Sequence, residues 1–173
     1  NVTNIVIANF DDDGIDLDQA YDGTISNAVV IMAPGSDTVF EIDGTEEPND
    51  AILGEYTVKN VTAYGRSDAA KFDTFGNWKS DATGFNENVL FVDFPAGTTL
   101  GGIDADTYDG AGTTTAEGKL NFKDFIVVTP DSKTTVIGGQ VEEASATWIS
   151  VSTTRPSSKG ADESVFGWTQ FFN

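Results

Sequence analysis

The stretch DGIDLD at residues 13–18 decides the fold: it is a turn followed by a short alternation of apolar and acidic residues. Such alternation is typical of a β-strand with one buried face. The pattern returns as DTVFEID at 37–43 and as DAAKFD at 68–73. Each copy is preceded by an asparagine that lies eight to ten residues before its first Asp, and these are Asn4, Asn27 and Asn60. We predict that the three copies lie on successive coils of a stacked β structure.

Repeat lengths of roughly 23 to 33 residues are typical of solenoids, in which equivalent side chains form columns along the stack. The alignment predicts an interior column made of Leu17, Ile42 and Phe72. It predicts a neighbouring column made of Ile15, Phe40 and Ala70. Asparagine at the bends would bond through its amide along the stack. The alternative is an antiparallel sandwich with three similar hairpins, which the unequal repeat lengths favour.

The predicted fold class is therefore all-β, a right-handed parallel β-helix with an aromatic cap after its last coil. A chain of 173 residues is long enough for one domain. We expect regular coils with lateral loops over 1–118 and final coils with the cap over 119–173. The residues expected to form the cap are Phe166, Trp168, Phe171 and Phe172. The first coil has no comparable segment, so we expect it to be covered by preceding residues of a longer chain or by a partner.

The formal net charge is −19, and residues 1–58 contain thirteen Asp or Glu but no Lys or Arg. Such a surface repels nucleic acid and anionic membranes, because phosphate binding needs clustered basic residues. Cysteine and histidine are both absent, which excludes thiolate and imidazole nucleophiles, bases and zinc ligands. The sequence contains no complete catalytic signature, and we therefore favour a non-enzymatic role.

Calcium is the candidate cofactor, because it is bound by six to eight oxygen ligands. The segment from Asn9 to Gly14 begins like an EF-hand loop, but the twelfth position is Ala20 and not Glu, so that motif is rejected. A less regular site remains if Asp18, Asp43 and Asp73 stack in one column, since adjacent like charges need a cation or donors. The alternative is that the aspartates cap turns. The candidate ligands are Asp11, Asp12, Asp13, Asp16, Asp18 and Asp43.

Three aromatic residues in loop-like segments are candidates for stacking against a sugar ring. These are Tyr64, Trp78 and Tyr108. The alternative is that they belong to the core, where large aromatic residues are frequently found.

Three segments of the sequence resemble a known family. They are FDDDGIDLDQAYDGTISNAVVIMAPGSDTVFEIDG at 10–44, SDAAKFDTF at 67–75 and GADESVFGWTQFFN at 160–173. The chain resembles, over roughly 4–95 and 160–173, the right-handed β-helix repeat proteins that Bacteroidota secrete or display on the outer surface. The resemblance implies a parallel β-helix and an extracytoplasmic location, and it says little about activity.

The turn at 13–15 also resembles the paired-aspartate turn of polygalacturonase-type hydrolases. The Gly-His-Gly and Arg-x-Lys elements of those enzymes are missing here. A polysaccharide lyase would need a Lys or Arg base near carboxylates. The basic residues near the repeated face are Lys59, Arg66, Lys71 and Lys79.

We therefore expect a cell-surface module with a binding, adhesion or structural role and a glycan or a surface protein as partner. The alternatives are a lyase or glycoside hydrolase acting on an extracellular glycan, and an accessory subunit of an outer-membrane complex. A groove where a Lys or Arg meets two carboxylates would favour an enzyme, whereas carboxylates scattered over turns would favour a binding module.

Overall fold

The computed structural model describes residues 1–45, 54–66, 74–110 and 119–169, and the structure below refers to these. Short strands dominate, joined by turns and by two short helices. The strands are β1 (Val2–Ala8), β2 (Ile15–Leu17), β3 (Thr24–Ile31), β4 (Phe40–Asp43), β5 (Tyr56–Tyr64), β6 (Gly76–Lys79), β7 (Gly84–Val92), β8 (Tyr108–Gly110), β9 (Leu120–Val128) and β10 (Ile149–Ser152). The helices are α1 (Lys133–Ile137) and a 3₁₀ helix (Glu163–Phe166). Neither of these helices is long and apolar enough to cross a membrane.

The strands form two parallel sheets, which we call the long sheet and the short sheet. The long sheet has the order β1-β3-β5-β7-β9-β10, with β8 beside β9, and the short sheet has the order β2-β4-β6. All pairs are parallel, and each coil contributes one strand to the long sheet. The predicted all-β parallel β-helix is confirmed, and the alternative of an antiparallel sandwich is wrong. The register joins Val2 to Ile25, Ile25 to Val58 and Val58 to Asn86, which gives offsets of 23, 33 and 28 residues between neighbouring coils.

The first two acidic repeats stack as predicted, but the third rung is formed by other residues than expected. Ile15 pairs with Phe40 and Leu17 pairs with Ile42. The next rung is β6, where Trp78 lies beside Ile42 and Gly76 beside Phe40. The prediction for the third place of each column is therefore wrong, because Trp78 and Gly76 hold those places. Phe72 and Ala70 belong to residues 67–73, which lie outside the described part of the chain.

A steric reason explains why GNWK at 76–79 forms this rung. The Trp78 ring lies 5.7 Å from Phe40 and 5.1 Å from Phe122, and it is buried in the core. A Cβ added at Gly76 would come within 3.0 Å of that ring. Glycine at position 76 therefore leaves room for the indole ring of Trp78. The two-residue alternation in the sequence does not reveal that a small and a large residue must be combined in this way.

The asparagine ladder, which we define as Asn4, Asn27, Asn60 and Asn88, runs through the middle of the long sheet. Asn27 Nδ2 donates to Asn4 Oδ1 at 2.7 Å, and Asn88 Nδ2 donates to Asn60 Oδ1 at 2.8 Å. All four residues have φ of 55–56°, a left-handed conformation that Asn tolerates better than most residues. The predicted stacking of the first three is confirmed, and Asn88 extends the ladder by one coil. Asp124 holds the next kinked position with φ 56°.

An aromatic residue and α1 close the core after the last coil. Trp148 stacks on Phe122 with 4.5 Å between ring centroids, and its Nε1 donates to the Tyr108 hydroxyl at 2.9 Å. The short helix α1 begins after Ser132, whose side chain accepts from the Thr135 amide, and it buries Val136 and Ile137. The core therefore does end in an aromatic closure, but the residues differ from those predicted.

The C-terminal segment instead turns back across the outside of the long sheet, and we call Lys159–Phe166 the strap. Gly160 exchanges two hydrogen bonds with the Asn88 side chain, at 3.0 and 3.1 Å. Asp162 does the same with Asn27, at 2.6 and 3.3 Å. The 3₁₀ helix then contacts β1, at the opposite end of the β-helix from the predicted cap. The predicted cap position of Phe166 and Trp168 is therefore wrong, and Phe171 and Phe172 lie outside the described residues.

Burial explains the path of the strap. Val29, Thr62 and Leu90 are fully buried, although Val29 and Leu90 lie outside the main core cluster. The strap lies over this stripe, and the Ala161 amide donates to Thr62 Oγ1 at 2.9 Å. An uncovered apolar stripe on a sheet would favour association with other molecules. The strap covers this stripe and keeps its side chains away from water.

Gly160→Ala is expected to destabilise the fold more than Gly97→Ala. Both glycines are left-handed, with φ of +83° and +86°, which costs an alanine about 1 kcal/mol. At Gly160 an added Cβ would lie 2.3 Å from Thr62 Oγ1 and 2.9 Å from Leu90 Cβ, whereas at Gly97 no atom lies within 4 Å. We expect the difference in the free energy of unfolding to be about 1–3 kcal/mol, measured by urea titration. Equal losses would show that the strap does not press on the sheet.

Trp148→Ala is expected to cost about 3–5 kcal/mol of unfolding free energy, because it removes a buried ring that stacks on Phe122. The matched control is Trp168→Ala, whose side chain is 75% exposed and should change stability by less than about 0.5 kcal/mol. Thermal unfolding followed by circular dichroism measures both. A larger loss for Trp168→Ala would restore the predicted role of that residue as the cap.

Candidate functional site

Acidic side chains converge on the short sheet, and we define the acidic face as Asp16, Asp18, Glu41, Asp43 and Lys79. Asp16 pairs with Glu41 across β2 and β4, while Ile15, Leu17 and Ile42 on the same strands are buried in the core. Asp43 pairs with Lys79 across β4 and β6. Burial, followed by the charges of Asp18 and Glu41, raises the pKa of Asp16 above its usual value. The stacking of successive coils thus creates a row of carboxylates that repel one another.

Among the described residues, Lys79 supplies a cation to this face. Lys79 Nζ lies 2.6 Å from Glu41 Oε1 and 3.4 Å from Asp43 Oδ2. Ser80 Oγ donates to the other Asp43 oxygen at 2.9 Å. The hydrogen bond to Glu41 raises the pKa of Lys79 above its usual range. The column predicted for Asp18, Asp43 and Asp73 is therefore wrong at its third place, because Lys79 holds that place and relieves the repulsion. Asp73 itself lies outside the described residues.

A separate carboxylate group lies at the turn that precedes β2. Carboxylate oxygens of Asp12, Asp13 and Asp37 lie within 4.8 Å of one another. Asp13 Oδ1 accepts from the Thr38 amide at 2.8 Å, and the Asp37 amide donates to the Asp12 carbonyl at 2.7 Å. Asp13 thus connects two coils, which differs from the turn-capping alternative, in which each aspartate bonds an amide of its own turn.

The six predicted calcium ligands do not form one cluster. Asp12 and Asp13 meet Asp37, which was not among the predicted ligands. Asp16, Asp18 and Asp43 belong to the acidic face. Asp11 lies next to Gly35 in the neighbouring coil. Calcium binding stays a prediction for the Asp12, Asp13 and Asp37 group, whose oxygens suit a hard cation.

A further acidic group lies near the end of β6. Oxygens of Asp81, Asp104 and Asp106 come within 4.8 Å of one another. Asp104 accepts from the amides of Asp81 and Asp106, at 3.0 and 2.8 Å. The Asp-x-Asp spacing at 104–106 is the sequence signal that could have identified it.

The three aromatic residues predicted to bind a sugar all make contacts within the fold. Trp78 is 1% exposed and lies in the core, so its assignment to a surface loop is wrong. Tyr108 packs against the core and accepts from Trp148. Tyr64 donates to Glu163 Oε1 at 2.6 Å, and Arg155 donates to the Tyr64 hydroxyl. Burial and the neighbouring Glu163 raise the pKa of Tyr64 to about 12.

Two surface cavities lie away from the acidic face. One of about 350 Å³ is formed by residues 155 and 157–163. Its basic groups are already paired, Arg155 with Glu163 and Lys159 with Asp124. The other, of about 510 Å³, lies between residues 92–94, 128–130 and 153. Neither cavity offers an unpaired lysine or arginine to act as a base.

Asp16→Asn is expected to raise the free energy of unfolding at pH 7 in low salt, because it removes one charge from the repelling row. The pKa of Asp16 is raised above 3.8 in the folded protein. The Asp16 charge therefore lowers the free energy of unfolding fully above the folded pKa, and this effect disappears as the pH falls below 3.8. Urea unfolding at pH 7 and pH 3, with and without added salt, measures it. Asp22→Asn, at an exposed position in the same coil, is the control. A gain of the same size at pH 3 would contradict the electrostatic explanation.

Comparison with known proteins agrees with this architecture. A family model described as a pectate-lyase-like β-helix domain matches residues 1–172. No match was found among curated proteins or among solved structures. The parallel coils, the stacked columns and the match over nearly the whole chain lead to one conclusion, that this chain belongs to the pectate-lyase-like β-helix domain family.

Proposed function

We propose that this chain is a non-enzymatic, extracytoplasmic binding module that presents its acidic face to an extracellular glycan or a surface protein. The observation that carries the proposal is the position of Lys79 between Glu41 and Asp43. Its raised pKa keeps the ammonium protonated. A lysine in this state stabilises the acidic face but is unsuited to removing a proton.

The chemistry of a lyase makes this distinction concrete. When Lys or Arg is the base that abstracts the proton from the carbon next to a uronate carboxylate, its side chain must be neutral at the operating pH. An enzyme obtains such a base by lowering the pKa through burial or a neighbouring cation. Lys79 has the opposite environment, with two carboxylates beside it and about half of its side chain exposed.

Calcium fits the proposal as a bridging ion. The Asp12, Asp13 and Asp37 group offers several carboxylate oxygens next to the acidic face, and the remaining positions around calcium can be filled by oxygens of a partner. An anionic glycan would otherwise be repelled by a chain of net charge −19. A calcium-dependent interaction would overcome that repulsion.

The second candidate is a polysaccharide lyase or glycoside hydrolase. Membership of a pectate-lyase-like family favours it. Asp16 also has the raised pKa of a general acid and lies beside Glu41, which would act as the second carboxylate.

The resemblance to surface proteins of Bacteroidota supports a location on the cell surface, either as an independent module or as an accessory subunit of an outer-membrane complex.

The test uses purified protein with polygalacturonate and with a neutral glucan, each with millimolar calcium or with a chelator. We expect retarded migration in affinity electrophoresis with calcium and the acidic glycan, and neither unsaturated products nor new reducing ends. The double variant Asp12→Asn with Asp37→Asn should lose the calcium-dependent retardation. Asp109→Asn, at an exposed position outside the carboxylate groups, should keep it.

Two results would overturn the proposal. Unsaturated products that disappear in Lys79→Met would identify a lyase, and new reducing ends without unsaturated products, lost in Asp16→Asn, would identify a hydrolase. Retardation that is equal with calcium and with the chelator would contradict the bridging ion.

A further inference from the structure

The larger of the two surface cavities described above lies where three strands of the long sheet end. Its volume of about 510 Å³ is within the range of about 300–1,000 Å³ that is usual for small-molecule sites. Three of its lining residues, Asp93, Thr129 and Thr153, each come directly after a strand, namely β7, β9 and β10. The cavity is therefore separate from the acidic face, which is formed on the short sheet.

The three polar residues lie on consecutive coils, because the strands that precede them are paired in register. Phe91 pairs with Val127, and Val128 pairs with Ser152. The Thr129 amide donates to the Ser152 carbonyl at 2.8 Å, which continues this register past the end of β9. Neighbouring strands in a sheet are about 4.8 Å apart. The cavity is thus lined by one carboxylate and two hydroxyl groups that follow one another at the spacing of the coils.

These polar groups can still bind a ligand. Asp93 is exposed, and none of the ion pairs between described residues includes it. Thr129 Oγ1 accepts from the Asp131 amide at 3.1 Å, which leaves its O–H to donate. Thr153 is exposed to solvent. A molecule in the cavity would therefore meet one anionic acceptor and two hydroxyl groups.

The remaining lining of the cavity is apolar. Val92 and Val128 are half-buried, Phe94 is buried and Pro130 is exposed. Apolar walls with a few polar groups that fix the orientation of the ligand are typical of small-molecule sites. This combination fits a ligand with an apolar face and several hydroxyl groups, and the ring of a sugar has both.

The charge of the cavity selects among such ligands. Asp93 is the charged residue of the described lining, and the whole chain has a net charge of −19. Arg155, which follows Thr153 by two residues, is bound to Glu163 and to the Tyr64 hydroxyl. An anionic sugar would be repelled here, whereas a cationic one would be attracted. A hydrogen bond between an ammonium group and a carboxylate is also stronger than one between neutral groups.

We propose that this cavity binds a sugar that carries a free amino group. The ammonium group pairs with Asp93, and ring hydroxyl groups bind Thr129 and Thr153. The apolar face of the ring packs against Val92 and Val128. This site is additional to the acidic face and does not depend on the ligand of that face.

The experiment titrates the protein with glucosamine, glucose and N-acetylglucosamine, and follows the amide signals of Thr129 and Thr153 by nuclear magnetic resonance. We expect saturable shifts of these signals with glucosamine. Glucose and N-acetylglucosamine should bind about tenfold more weakly, because neither offers an ammonium group to Asp93. High salt should weaken the binding of glucosamine, because the attraction between the two charges is screened.

Matched variants assign the groups of the site. Asp93→Asn keeps a residue that tolerates the left-handed φ of 60° at this position, and it should bind glucosamine and glucose equally. Asp22→Asn, at an exposed position between β2 and β3, makes the same change in net charge and should keep the preference for glucosamine. Thr153→Val should bind glucosamine about threefold more weakly. The same variant should bind cyclohexylamine, which has an ammonium group but no hydroxyl group, as the parent protein does.

Four results would overturn the proposal. The first is the absence of a saturable shift with glucosamine. The second is a set of shifts on the acidic face that leaves Thr129 and Thr153 unchanged, which would show only general attraction to a negative surface. The third is a preference for glucosamine that Asp93→Asn retains. The fourth is equal affinity for glucosamine and N-acetylglucosamine, which would remove the role of the amino group.

Discussion

The asparagine ladder is the interaction on which the rest of the structure depends. Each coil must place a kink at the same height, because parallel strands in register cannot bend at different points. The kinks at Asn4, Asn27, Asn60 and Asn88 share one left-handed geometry. Amide hydrogen bonds along the stack join Asn4 to Asn27 and Asn60 to Asn88, and the strand register aligns the two pairs. Asparagine satisfies both conditions, since it tolerates positive φ and carries a donor and an acceptor on one side chain. The columns of core residues follow from this common register.

The ladder also determines how the C-terminal part of the chain folds. Asn27 and Asn88 use their amides to bind the backbone of Asp162 and Gly160, so the strap is attached to the same residues that align the coils. The pair of Arg155 and Glu163, with Tyr64 between them, fastens the strap near the end of β5. A segment that resembles an end cap in sequence thereby becomes a cover for the outer surface of the long sheet.

The functional features arise from the same stacking. Parallel coils place equivalent residues one above another, so an acidic residue repeated at one position becomes a row of like charges. The chain relieves part of this repulsion with Lys79, which binds Glu41 and Asp43. The resulting face is strongly charged, and its lysine is paired with two carboxylates.

The amino-acid sequence by itself determined the fold class, the stacking of the first two acidic repeats and the first three members of the ladder. These features depend on local patterns, namely a two-residue alternation and an asparagine at a regular distance before it. The absence of His and Cys likewise restricted the available chemistry without any structure.

Only the tertiary structure decided which segments occupy the later rungs and what the aromatic residues do. Gly76 and Trp78 form the third rung because the indole ring fits only beside a residue without a Cβ, and that fit depends on residues from several coils. Trp148 closes the core, while Trp168 remains exposed at the opposite end. Sequence patterns do not distinguish these two tryptophans, because burial is set by residues distant in the chain, and the return of the strap across the sheet is itself a long-range contact.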